Sequence, residues 1–303
     1  MDLSVVIPTL NGRAELPATL GAIAEYLPGA EVIVANGPSA DGTSGFVCEH
    51  EAVDVLLELS ERNPNVARNA GLAAASGEAI AFLDQASEIE ATWPGAVDAA
   101  LAAGADAVTG PVHRELGEDV TTETLEESQI GSRTVRFFDG GNVVFSRSTI
   151  ESLDGFDEHL EVGAARDLAH RLAGQDRTLR WEPGATVLRS TPKPTRQDES
   201  ATHRHAQEYR SRGYRVAKNY GLGWKTAVKL LGPLARDGLA AAKSVAVGEA
   251  KPSLWLGNGR DAVSQVLRGT REGLIARVTD RSPRRNPHGL SARRDRPVSR
   301  CDP

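Results

Sequence analysis

A chain of 303 residues, 40% hydrophobic and 25% charged, holds enough apolar material for one sizeable core with an appendage, or for two domains. That balance excludes a disordered or fibrous chain, and no uncharged apolar run reaches the roughly 18 residues of a membrane-spanning helix. The net charge of −6 conceals an asymmetry: residues 1–190 carry 12 Lys/Arg against 31 Asp/Glu, whereas residues 191–303 carry 23 against 10. An asymmetry of this kind directs the second half toward an anionic partner, or simply toward the acidic first half.

Along the chain, residues 3–8 read as a buried strand, followed by a Pro-Thr-Leu-Asn-Gly turn. A helical pattern covers 16–26, with Leu16, Leu20, Ile23 and Ala24 on one face. Residues 31–35 form a second apolar strand punctuated by Asn36-Gly37-Pro38, and a helix opens after Ser39-Ala40-Asp41-Gly42-Thr43. A third strand falls at 53–59. A polar loop holding Arg68 and Asn69 then opens an Ala-rich helix ending at Ser76, and a strand at 79–83 finishes on Asp84. Strands alternating with helices predict βαβ units and a mostly parallel sheet. A helix at 93–103, a strand at 107–110, a polar acid-rich loop at 113–130, a strand entered through Gly140-Gly141-Asn142, a helix near 167–173 and a strand at 185–188 complete the domain. Residues 191–199 read as a linker, 203–220, 224–247 and 260–277 as basic amphipathic helices, and 281 onward as a disordered tail. The expected division is therefore 1–195, 196–280 and 281–303. With two cysteines, too few for a disulfide framework or a zinc site, and no leader-like opening segment, the expected location is cytoplasmic, or peripheral on the inner face of the membrane.

In open α/β sheets, ligands sit outside the carboxyl ends of the strands. Asp84 ends a strand in just such a place. Free N–H groups of loops and helix N-termini at that edge suit phosphate. The opening Ser4-Val5-Val6-Ile7-Pro8-Thr9-Leu10-Asn11-Gly12, the run from Asn65 through Gly71 to Asp84, and Gly140-Gly141-Asn142 followed by Leu153-Asp154-Gly155-Phe156 together resemble a family 2 glycosyltransferase over about residues 3–190. The resemblance implies a GT-A-like fold and transfer of a sugar from a nucleotide diphosphate sugar, with inversion. It also implies that Pro8, Thr9, Asn11, Asn36, Asp41, Arg68 and Asn69 hold the nucleotide, while Gly140, Gly141 and Asn142 line the donor-sugar and acceptor pocket.

Several acidic positions depart from the family pattern. A divalent cation, Mg2+ or Mn2+, is usually held by Asp-x-Asp; this chain keeps Asp84 as the metal candidate but has Ala86 for the second carboxylate, with Glu88 the nearest substitute. Asn36 replaces a usual Asp. The Glu-Asp pair that supplies the base is Ala164-Ala165, although the Asp167, Leu168, Arg171 and Leu172 that follow match. Asp167 becomes the candidate base, with Glu161 or His170 behind it, and a helix N-terminal charge or an ion pair to Arg171 at i+4 is the competing reading of Asp167. Arg189 stands where relatives carry a His that reaches the metal or the diphosphate. A guanidinium binds phosphate through two N–H groups and keeps its charge, so Arg189, with Arg166, is expected to replace part of the missing cation.

The basic region interleaves Tyr209, Tyr214, Tyr220 and Leu222 with Arg210, Arg212, Arg215 and Lys218, a pattern suited to an anionic membrane surface and hence to a lipid-phosphate or glycolipid acceptor. No nucleic-acid-binding fingerprint is present. The alternative function is a catalytically inactive GT-A-like binding or scaffold protein in a glycan pathway.

Overall fold

The computed structural model describes residues 1–114, 124–130, 133–190, 198–223, 252–293 and 299–301. The chain divides into two compact units. The first comprises Met1–Ser128, Thr134–Lys193 and His288–Pro303; the second comprises Gln129–Arg133 and Pro194–Pro287.

In chain order the elements are β1 (Leu3–Thr9), α1 (Leu16–Tyr26), β2 (Glu31–Asn36), α2 (Thr43–Cys48), β3 (Val55–Glu58), α3 (Pro64–Ala74), β4 (Ala79–Leu83), β5 (Ser87–Ile89), α4 (Trp93–Ala102), β6 (Ala107–Thr109) and β7 (Val112–Arg114). There follow β8 (Glu127–Ile130), β9 (Arg133–Arg136), β10 (Asn142–Ser146), α5 (Arg147–Ser152), α6 (Ala164–Gly174), β11 (Leu179–Trp181), β12 (Val187–Arg189), α7 (Asp198–Tyr220), α8 (Pro252–Thr279) and β13 (Ser299–Cys301). An eight-stranded sheet runs β11-β6-β10-β4-β1-β2-β3-β13, while β5-β12-β7 form a second sheet and β8-β9 a third. In the large sheet β1 pairs in parallel with β2 and β4, and β2 with β3; β10 and β13 run antiparallel to their neighbours. The mostly parallel α/β sheet is the one the alternating pattern predicts.

Every residue of β1 is buried, as expected of a strand covered on both faces. On one face Val5, Ile7 and Val34 meet Leu16, Leu20 and Ile23 of α1 and Trp93 and Val97 of α4. Two boundaries differ from the sequence reading. Arg68 and Asn69 lie inside α3 rather than in a loop, because Asn63 caps the helix by accepting from the Asn65 N–H at 2.9 Å and Pro64 pre-sets its first turn. The expected acidic loop at 113–130 contains β7 and β8, while residues 115–123 lie outside the described residues.

Asp106, at the entry to β6, accepts from the Thr178 N–H and hydroxyl, from Arg177 and from the Thr149 hydroxyl. Burial works to raise its carboxyl, but these donors outweigh burial and hold it below the ordinary value. A carboxyl depressed in the folded state contributes stability above its unfolded pKa and loses that contribution as pH falls through the folded one. Asp106→Asn is therefore expected to cost about 1–3 kcal/mol at neutral pH. Urea titrations should show the difference shrinking as pH falls below the ordinary Asp value of about 3.9; an equal loss at neutral and at acidic pH would contradict this.

The second unit is built on the pairing of α7 with α8. A Cβ at Gly269 would lie 1.9 Å from the Arg210 carbonyl oxygen, and one at Gly273 would lie 2.3 Å from that of Tyr214, so only hydrogen fits at this crossing. Arg210 and Glu272 fasten it with two bonds of 2.8 Å. The helix expected at 224–247 and most of the expected linker lie outside the described residues. Instead of a disordered tail from residue 281, the 3₁₀ turn Leu290–Ala292 hydrogen-bonds to Asp154, and β13 pairs with β3. Cys48 is disulfide-bonded.

Candidate active site

Because β1, β2 and β4 are parallel, their carboxyl ends open on one edge of the sheet, where ligands of such folds bind. Two groups of side chains gather there. The first joins the loops after β1 and β2. Asn11 takes a positive φ of 51°, donates its N–H to Ser39 Oγ at 2.8 Å and accepts from the Ala40 N–H at 2.9 Å. Asp41 accepts from the backbone N–H groups of Arg13 and Thr43 and from the Thr43 hydroxyl. Desolvation works to raise the Asp41 carboxyl, but these donors together outweigh it and hold the group below its usual range. Asn36 is buried between Ser44, to which it donates, and Ser39, from which it accepts. Pro8 pairs with Ala35 in the sheet, and the buried Thr9 hydroxyl turns back on the Ile7 carbonyl.

The second group is an alternating chain of charges. Arg68 Nη2 lies 3.2 Å from Asp84 Oδ1, and Arg189 Nη2 lies 3.3 Å from Asp84 Oδ2. Arg189 also grips Asp139 through both terminal nitrogens, each at 2.9 Å, and donates Nε–H to Ser87 Oγ at 3.1 Å. Burial works to raise the Asp139 carboxyl, but the Arg189 hydrogen bonds and charge, the Gly141 N–H and the charge of Arg68 hold it below the ordinary range. Burial likewise works to lower Arg189, and Asp139 and Asp84 more than reverse it. Gln85 ties the two groups together, accepting from the Leu10 N–H with its side chain and from the Thr19 hydroxyl with its carbonyl.

Gly140 and Gly141 leave this cluster room. A Cβ at Gly141 would stand 2.2 Å from Asp84 Cγ, and one at Gly140 would stand 3.2 Å from the Ala165 methyl and 3.6 Å from Arg68 Nη2. The alanine that replaces the expected acid therefore lies beside the charge cluster without a proton acceptor.

Five candidates are placed elsewhere. Asn69 is fully buried and clamps the Phe156 backbone at both its N–H and carbonyl while also donating to Glu158. Asn142 donates to the carbonyls of Gly110, Pro111 and Ala185 and accepts from the Trp93 indole N–H. Asp167 and Arg171 are both 0% exposed and joined at 2.9 Å, with Arg171 spending its other nitrogens on the Leu153 and Gly155 carbonyls. A general base has to reach the acceptor, so this buried pair does not fit the base expected of Asp167. Arg166 is also engaged away from the cluster, paired with Glu126 and lying 4.6 Å over the Phe137 ring.

Asp139, Gln85 and Ser87 escaped the sequence reading. The signal for Asp139 was its place before Gly140-Gly141, where its carboxylate accepts the Gly141 N–H at 2.8 Å. Ser87 pairs with Arg189 in register, so strand alternation turns Glu88 to the opposite face and removes it as a substitute metal ligand. Among the described residues no group of three or more His, Cys, Asp and Glu side chains is arranged to hold a metal ion. The two carboxylates that do converge, Asp84 and Asp139, already share a guanidinium, and this donor set fits an arginine better than a divalent ion.

Residues 4–153 match the model of glycosyl transferase family 2. This domain belongs to that family. The chain is 31% identical over 202 residues to the pre-mycofactocin glycosyltransferase of Mycobacterium tuberculosis, covering 61% of this chain and 42% of that protein. The chain thus spans less than half the length of that curated relative. Among solved structures, Staphylococcus aureus TarS in complex with UDP-GlcNAc superposes with a TM-score of 0.64 at 16% identity, covering 91% of this chain and 84% of that one. The mannosyltransferase PcManGT of Pyrobaculum calidifontis, in complex with GDP-Man and Mn2+, gives 0.57 at 18% identity, covering 90% and 87%. At these identities the likeness speaks for the fold, and the fold of the family 2 domain is GT-A-like.

Proposed function

We propose that the protein is a glycosyltransferase that moves a sugar from a nucleotide diphosphate sugar to an acceptor, with inversion. The observation that carries this reading is the pair of guanidiniums, Arg68 and Arg189, held on Asp84 beside the open backbone of Gly140-Gly141. Positive charge fixed before the reaction suits a diphosphate leaving group, because no reorganisation is needed as charge develops. The loops of Asn11, Asn36 and Asp41 would hold the nucleoside end. Ala165 at the base position favours an acceptor that is already ionised, such as a lipid phosphate, since a phosphate oxygen needs no proton removed at neutral pH.

The test is a panel of sugar nucleotides with the full-length protein, reading release of nucleoside diphosphate in EDTA and in added manganese. Release from one donor supports the enzyme. Silence across the panel, with a donor still raising the melting temperature, would favour the inactive binding or scaffold alternative.

An anionic membrane surface is the partner we propose for the second unit. Among the described residues no helix is long and apolar enough to cross a membrane. However, Val263, Leu267, Ile275 and Val278, each roughly half exposed or more, fall on one side of α8, away from Gly269 and Gly273. Exposed Arg268 and Arg271 flank them in a half of the chain that carries 23 basic against 10 acidic residues. Sedimentation with vesicles should show binding to phosphatidylserine-containing but not neutral lipid. Leu267→Asp with Ile275→Asp should weaken it by about tenfold or more. Equal binding to neutral vesicles, or a salt-resistant dimer built on this face, would overturn the proposal.

A further inference from the structure

We infer that Arg189 is a built-in cation: it occupies the position between Asp84 and Asp139 that a divalent ion would need, and a single substitution would hand that position to a metal. The inference rests on the glycosyltransferase reading for its ligand, a nucleoside diphosphate, but not for its metal arm.

A guanidinium has five N–H groups in a fixed plane. In Arg189, Nε–H goes to Ser87, one Nη1–H and one Nη2–H go to Asp139, and the second Nη2–H faces Asp84. The remaining Nη1–H meets no acceptor among the described residues. Arg68 is similarly unsaturated: Nη1 reaches Asn65, Nη2 reaches Asp84, and its buried Nε has no hydrogen-bond partner among the described residues. A buried donor left unpaired is costly, and here it belongs to one of two guanidiniums joined through the same carboxylate. Arg68 Nε is enclosed, so the N–H groups an incoming diphosphate can accept from are the second ones on Arg68 Nη1 and Nη2 and on Arg189 Nη1. Glycine at 140, whose Cβ would stand 3.6 Å from Arg68 Nη2, leaves the approach to that nitrogen open.

The same geometry explains why a metal is redundant. Asp84 and Asp139 converge on one nitrogen, Nη2, so each meets a positive charge that never titrates away. A divalent ion would have to break the bidentate Arg189–Asp139 pair and then sit against the guanidinium it displaced. Removing that side chain leaves two carboxylates facing a common space, with Arg68 on one oxygen of Asp84 as the cation that remains. Magnesium and manganese commonly bind to one or two carboxylates together with substrate phosphates. Asp139 is the positioning residue in this scheme, because it fixes the plane of the arginine.

The experiment uses the full-length wild type, Arg189→Ala and the similarly shaped Arg189→Met, with manganese alone and with UDP or GDP in EDTA or manganese. Wild type should bind the nucleotide about equally in both conditions and show no thermal shift with manganese alone. In EDTA the variants should lose about 10- to 100-fold in nucleotide affinity, the loss of a charged hydrogen-bonding group. Manganese should restore at least about tenfold of it and should raise the melting temperature of the variants alone. A wild type that loses nucleotide binding in EDTA, or variants indifferent to manganese, would overturn the inference. If no nucleotide binds in any condition while manganese still stabilises only the variants, the built-in cation stands and the glycosyltransferase reading falls.

Discussion

Asp167→Ala is expected to destabilise the family 2 domain by about 3–5 kcal/mol, far more than it slows the molecules that remain folded. The carboxylate is fully buried on α6 and neutralises Arg171, whose other nitrogens hold the Leu153 and Gly155 carbonyls that shape the turn after α5. Removing it leaves a buried guanidinium with an uncompensated charge, and that charge is what makes the substitution costly. Replacing both partners, as in Asp167→Ala with Arg171→Leu, should recover part of the loss because no charge is then stranded. Urea unfolding together with turnover per folded molecule separates the two roles. An unchanged melting temperature with activity abolished would restore Asp167 as the base.

Gly141→Ala should have the opposite signature, a fall in donor turnover of about 100-fold or more with a modest change in stability. A methyl group there would lie 2.2 Å from Asp84 Cγ and within 2.6 Å of both carboxylate oxygens. Asp84 would have to swing away, and with it the point where Arg68 and Arg189 are joined. The shift is local to the carboxyl edge of the sheet, whereas the buried core lies beneath. Gly21→Ala, where a Cβ meets nothing within 4 Å, is the matched control in α1 and should leave turnover intact. Near-normal turnover in Gly141→Ala would mean that the charge cluster is not where the donor reacts.

Several polar residues that looked alike in sequence proved to have unlike duties. Arg68 and Asn69 are neighbours in one motif, yet successive helical residues point about 100° apart. Arg68 reaches the charge cluster, and Asn69 turns inward to hold the Phe156 backbone. Gly141 and Asn142 divide in the same way, one beside Asp84 and the other buried among three carbonyls and an indole. A buried amide and a ligand-binding amide have the same composition, and only the packing around them tells which it is.

What the sequence determined by itself was local and repetitive. Apolar runs, helical spacing, and Gly and Asn breaks place the strands and helices of the α/β domain, because hydrophobic period and turn chemistry act over a few residues. The motif order led from there to family 2 and to Asp84 at a strand end. Only the tertiary structure decided which charges meet. Asp84, Asp139 and Arg189 lie far apart in the chain and come together because β4 pairs with β10 while β5 pairs with β12. Those pairings depend on contacts between distant segments, which no local pattern encodes, and they are what turn a lone carboxylate and a strand-end arginine into one site.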